Sequence, residues 1–105
     1  MSREPQSKRA KRPRQVAYTK TFSASWDRYN KAGRRDMNSA VAIMSLLFSR
    51  QPIPAEYLDH ELEGAEWSGA RELHIGGDFL LVYRITEKDD LVTFVDLGTH
   101  SELFG

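Results

Sequence analysis

The chain has no cysteine. That absence removes disulfide frameworks, thiolate zinc sites and cysteine nucleophiles together, and it fits a reducing compartment. Long apolar runs are missing too. No stretch approaches the roughly 18 residues a membrane span needs, and the basic N-terminus is not followed by a signal-peptide core. A cytoplasmic protein with no membrane partner is therefore expected. Histidine is scarce, with three residues, His60, His74 and His100, all in the second half. What is present suits one compact domain: 105 residues, 40% apolar and 10% aromatic, enough for a single modest core and too little for two.

An excess of charge of one sign is also lacking overall, yet the balance of zero hides a strong asymmetry. Residues 1–15 carry +5, residues 16–50 carry +4, and residues 51–105 carry −9. The basic half, with Lys20, Arg34 and Arg35 among its cations, is a candidate surface for a polyanion, while the carboxylate-rich half must face elsewhere.

Residues 1–15 are low in apolar side chains and show no hydrophobic period, so a disordered basic tail is expected there, with the domain spanning 16–105. "VAYTKTF" reads as a strand, with Ser23 as the cap of a following helix. Phe22, Trp26 and Tyr29 form an apolar stripe on that helix, and Gly33 stops it. Asp36 caps a second helix with Ala40, Ile43, Met44, Leu47 and Phe48 on one face, ended by Pro52 and Pro54. "AEYLDHELEGAEWSGA" has no sustained period and reads as a long, functional loop. "RELHI" and "FLLVYRI" flank a Gly76–Gly77 hairpin turn, "EKDD" is the next turn, and "LVTFVDL" is the last strand before "GTHSELFG". The order strand, helix, helix, strand, strand, strand predicts an α+β fold, an antiparallel sheet packed against a helical hairpin.

With Gly76 and Gly77 as the turn, His74 pairs with Phe79 and Asp78 sits at the rim of the hairpin. His60 arrives on the loop and His100 follows the last strand, so the pattern permits all three histidines to converge on one edge. Such a set suits proton transfer, because histidine alone has an unperturbed pKa within the working range. RNA supplies its own nucleophile: the 2′-hydroxyl attacks the adjacent phosphorus when a base takes its proton and an acid protonates the departing 5′-oxygen. Phe79 or Phe104 could stack an unpaired base. Each of these residues also has a plainer reading, the histidines as solvated or structural groups and the phenylalanines as core. A three-histidine zinc site stays open as well, although no two histidines have helical metal-motif spacing and "HExxH" is absent.

Two stretches, "PIPAEYLDHELEGAEWSGARELHIGGDFLLVYRI" and "GTHSELFG", carry a resemblance to a known family. In this pattern a Pro-rich exit is followed by Asp-His-x-Leu, Trp-x-Gly-x-Arg, His-x-x-x-Asp-aromatic-Leu-Leu-x-Tyr and a closing Gly-Thr-His-x-x-Leu-Phe. From Val16 to Gly105 the chain resembles the YafQ-like mRNA interferases, toxins of bacterial type II toxin–antitoxin systems within the RelE superfamily. The resemblance implies a RelE-like microbial-RNase fold and metal-free, cofactor-free cleavage of mRNA on the ribosome. It also implies a toxin that is monomeric alone and hetero-oligomeric with a cognate antitoxin. His60 stands at the family's loop histidine, His74 at its strand histidine, Asp78 at its acidic catalytic position, His100 at its C-terminal general acid and Phe104 at its aromatic near the reacting nucleotide. Phe79, Arg71, Lys20, Arg34 and Arg35 are the further candidates for RNA contact. The family's tryptophan after the aspartate is replaced by Phe79, and the arginine before the closing Gly-Thr-His by Asp96. A member that binds antitoxin or nucleic acid without cutting is the alternative.

Overall fold

The computed structural model describes residues 12–105. Its elements are β1 (Gln15–Tyr18), α1 (Lys20–Ala32), α2 (Met37–Phe48), β2 (His60–Glu61), β3 (Ala70–Gly76), β4 (Phe79–Thr86), β5 (Leu91–Thr99) and α3 (His100–Phe104). The five strands form one sheet in the order β1-β5-β4-β3-β2. The expected layers are present, with the helical pair on one face of the sheet. One pairing departs from the expected antiparallel sheet. β1 lies parallel to β5, because the two helices between β1 and the later strands carry the chain back to the starting end.

The core lies between the helices and one sheet face, where Phe22, Ile43, Met44 and Leu47 meet Leu73, Leu81, Tyr83, Val92 and Phe94. Along β3 and β4 the side chains alternate, so Leu73, Leu81 and Tyr83 face the helices and Glu72, His74, Leu80 and Val82 face away. That second face carries the candidate residue His74 and, beside it, Glu72.

Several boundaries move for local reasons. Thr19, not Ser23, caps α1: its hydroxyl accepts the Phe22 N–H at 2.9 Å, so β1 ends at Tyr18 and Phe22 belongs to the helix. Gly33, at φ 67°, stops α1 as expected, and Asp36 caps α2 by accepting the Ser39 N–H. The disordered tail expected over residues 1–15 lies outside the described residues only for 1–11. Gln15 opens β1, and Arg14 donates to the Leu47 carbonyl at 2.8 Å, so the fold begins before Val16.

The hairpin turn is Gly77–Asp78 rather than Gly76–Gly77. Gly76 pairs with Phe79, and a bulge at Ile75 sets His74 opposite Leu80. Gly77 takes the left-handed conformation, φ 57°, that the turn demands. The bulge turns Phe79 to the helical face with Tyr29 and His74 to the other.

Candidate active site

The stretch expected to be one long loop contains a two-residue strand. In β2, His60 lies opposite Glu72 and Glu61 opposite Arg71. Asp59, just before it, points to the other side and ties the strand down. It accepts the Tyr83 hydroxyl at 2.5 Å and two Arg71 guanidinium N–H groups at 3.3 Å. Burial, reinforced by the Asp59 carboxylate, pushes the Tyr83 phenol far above its usual range, so it stays a donor. Asp59 is thus an anchor and His60 its exposed neighbour. Arg71, a candidate for RNA contact, is committed to Asp59.

Leu58 has a left-handed backbone, φ 53°, unusual for a branched residue. Its carbonyl accepts the His60 Nδ1–H at 2.7 Å. A carbonyl can only accept, so Nδ1 carries a proton and Nε2 is the atom offered to the sheet. Nε2 lies 3.2 Å from Oε1 of Glu72. The His74 ring repeats the arrangement, its Nδ1–H donating to the Gly77 carbonyl at 3.2 Å while Nε2 lies 4.0 Å from the same Glu72 oxygen. The two imidazole centroids are 6.5 Å apart. One carboxylate therefore serves two imidazoles.

Glu72 is not among the candidates that the sequence pattern singles out. It is 5% exposed, one of only two polar side chains that are buried among the described residues. Its signal was visible: an acidic residue at the centre of "RELHI", two positions before His74 and hence on the same sheet face.

His100 closes the group. It is the first residue of α3, whose cap Thr99 ends β5. His60, Glu72, His100 and Phe104 line one open groove of about 430 Å³, with Trp67 and the rim carboxylates Glu63 and Glu66. The Phe104 ring packs against His100 at 5.1 Å and meets Trp67 edge-on at 5.2 Å. Phe104 thus remains a candidate stacking surface, and Trp67 joins it. Among the described residues, no group of three His, Asp or Glu side chains is arranged to hold a metal ion.

The other candidates lie apart. Asp78, 63% exposed, extends from the hairpin tip to Arg35 at 3.2 Å. Phe79 is 2% exposed, its ring 4.9 Å from Tyr29 and beneath the Arg35 guanidinium, so it is closed to a nucleobase. The bulge that turns it inward accounts for the correction. Arg34 and Arg35 line a shallow depression of about 270 Å³ with Ser39, Ile75 and Gly76. Lys20 opens α1, exposed, and lines neither depression. Asp96, standing where an arginine was expected, accepts the Ser25 hydroxyl at 2.7 Å and the Leu97 N–H at 2.8 Å, joining β5 to α1.

Comparison with known proteins agrees with this architecture. Residues 14–105 match the family described as bacterial toxin of type II toxin–antitoxin system, YafQ. The mRNA interferase toxin YafQ of Escherichia coli strain B is 38% identical over 93 residues, 88% of this chain and 97% of that protein. The crystal structure of the E. coli DinJ–YafQ complex superposes with a TM-score of 0.78 at 38% identity, covering 88% of this chain and 99% of that one. A metal-bound toxin from Helicobacter pylori superposes with a TM-score of 0.78 at 33% identity, covering 87% and 99%. With the family match over residues 14–105, the identity to a full-length relative and the superposed fold in agreement, the chain belongs to the YafQ family of toxins of bacterial type II toxin–antitoxin systems.

Proposed function

We propose that this chain is an mRNA interferase that cleaves mRNA on the ribosome without a metal cofactor and is held in check in the cytoplasm by a cognate antitoxin. The observation that carries the reading is the convergence of His60, Glu72, His100 and Phe104 on one groove, with His74 sharing the Glu72 carboxylate. Relatives of this length carry the name mRNA interferase, and one is solved in complex with the DinJ protein.

The chemistry needs a proton acceptor and a proton donor on opposite sides of a phosphodiester. An imidazole at the His60–His74 side takes the 2′-hydroxyl proton, and the 2′-oxygen forms its bond to phosphorus. The bond to the 5′-oxygen breaks, and His100 delivers a proton to the leaving oxygen. The products are a 2′,3′-cyclic phosphate and a 5′-hydroxyl. Glu72 stabilises positive charge on whichever imidazole receives the proton, and Phe104 holds the flanking base by stacking. Asp78, held by Arg35 at the hairpin tip outside the groove, takes no proton in this scheme. The groove itself is acidic, so attraction for the RNA backbone falls to Lys20, Arg34, Arg35 and the basic N-terminal segment.

Induced expression in a bacterial host tests the reading directly. Growth arrest, cuts in a reporter mRNA and fragments that mass spectrometry shows ending in a 2′,3′-cyclic phosphate are expected. A toxin that arrests growth without cutting RNA would leave only the binding function. Products with 5′-phosphates would overturn the proposed chemistry.

A further inference from the structure

The three histidines are not held alike. The His60 and His74 rings are each fixed at Nδ1 by a backbone carbonyl, whereas no hydrogen bond among the described residues involves the His100 imidazole. Its direction comes from the Phe104 ring packed against it, one turn along the same helix, and from the backbone that bears both. That backbone is the first turn of a five-residue helix, too short to persist by itself.

We propose that Tyr29 and Glu102 are the positioning residues of His100. Oε1 of Glu102 accepts the Thr99 N–H at 2.8 Å, while the Thr99 hydroxyl accepts the Glu102 N–H at 3.3 Å, a reciprocal cap that closes around His100 and Ser101. The same Glu102 oxygen accepts the Tyr29 hydroxyl, which joins this turn to α1. Tyr29 is in turn seated on the core, its ring 4.9 Å from the buried Phe79. Gly98 makes room for the link, since a Cβ there would stand 2.9 Å from the Glu102 carboxylate oxygen. The glycine, threonine and glutamate of "GTHSELFG" thereby acquire one joint purpose. They pin the turn that carries the His100 ring to α1, on the helical face of the sheet. Neither Tyr29 nor Glu102 lines the groove, so they act on the reaction through His100 alone.

The inference rests on His100 as the acid, and the experiment separates the two ideas. Reporter-mRNA cleavage on isolated ribosomes is followed under saturating and limiting conditions for wild type and for Tyr29→Phe, Glu102→Ala, Glu102→Gln and His100→Ala, each checked by thermal melting. Tyr29→Phe and Glu102→Ala should lower kcat by roughly 10- to 100-fold with KM unchanged, the cost of a small misplacement. Combining the two should cost no more than either alone, because both break the same link. Glu102→Gln keeps an acceptor oxygen and should restore most of the activity. In NMR spectra the His100 ring signals should move in Tyr29→Phe while those of His60 and His74 stay in place. Wild-type kcat and unmoved His100 signals in folded Tyr29→Phe and Glu102→Ala, with His100→Ala inactive, would overturn the positioning role. Full activity of His100→Ala would overturn the assignment of the acid. If Tyr29→Phe melts early, the contrast between Ala and Gln at the exposed position 102 decides.

Discussion

The side chains of His60 and Asp78 are comparably exposed, 51% and 63%, yet they are held very differently. The His60 ring is fixed at Nδ1 by the Leu58 carbonyl, and its Nε2 stands 3.2 Å from Glu72, a carboxylate that is almost fully buried. Asp78 makes one exposed contact, to Arg35, at the tip of a hairpin. Exposure thus says little about readiness for chemistry. The groove is built in advance, whereas the tip must exchange one partner for another before it can act. An isolated surface pair of that kind is worth about 0–1 kcal/mol, so the exchange is easily made by a bound substrate.

The contrast can be broken most decisively in the groove. His100→Ala should lower cleavage by about 10²- to 10⁴-fold, the usual worth of a proton-transfer group, while the thermal midpoint barely moves because the side chain is exposed. Glu72→Gln keeps the shape but removes the charge shared by two imidazoles. A loss of roughly 10- to 100-fold in single-turnover rate is expected, and an unchanged rate would show that the histidines need no common carboxylate. At the tip, Asp78→Asn and Arg35→Ala should each cost under about tenfold, the scale of an exposed ion pair. If Asp78→Asn were as damaging as His100→Ala, the tip would have to close onto the substrate and the two regions would form one site.

A weaker effect separates the charge layout from the groove. Removing residues 1–11 takes away Arg3, Lys8, Arg9, Lys11 and Glu4. Ribosome binding measured over a salt series should lose affinity and show a shallower slope, because fewer counterions are released. Equal slopes would assign docking to the remaining cations between Arg12 and Arg50.

The smallest effect concerns pH. The Thr99 backbone N–H, and after it the Tyr29 hydroxyl, hold the Glu102 carboxyl below its usual range. A lowered folded-state pKa gives stability that is present above the unfolded value and lost as pH falls through the folded one. Urea midpoints of Glu102→Gln should lie slightly below wild type at neutral pH and converge with it in acid below the ordinary value of 4.5. A constant difference at both pH values would mean that the carboxylate charge contributes nothing.

The fold was readable wherever a segment's pattern was long. The helical stripe from Phe22 to Tyr29, the Gly33 stop, the Asp36 cap and the strands on either side of the hairpin each follow from local spacing. What escaped depended on distant partners. β2 is two residues long and exists because Glu72 and Arg71 receive it, and α3 exists because of a cap and a tyrosine from another helix. The hairpin slipped by one position because the bulge at Ile75 is invisible to alternation, and that slip decided where Phe79 points. The candidate site residues came from a resemblance to a family pattern, and of these the structure brings His60, His100 and Phe104 to one groove. The buried glutamate between two of them needed only the period of a strand.

The parallel seam between β1 and β5 bears on how such a chain comes to fold. The Thr19 hydroxyl donates to the Val95 carbonyl across 76 positions of sequence. Closures of that span carry a large entropic cost and form slowly, whereas the meander from β2 to β4 needs only neighbouring chain. An intermediate holding the meander alone would possess His60, Glu72 and His74, but neither a seat for His100 nor the α1 tyrosine that reaches its turn. Catalytic competence is thereby tied to the last long-range step. On that order of events partly folded molecules should leave RNA uncut, and activity is expected in refolding no sooner than protection of the β1 amides from hydrogen exchange.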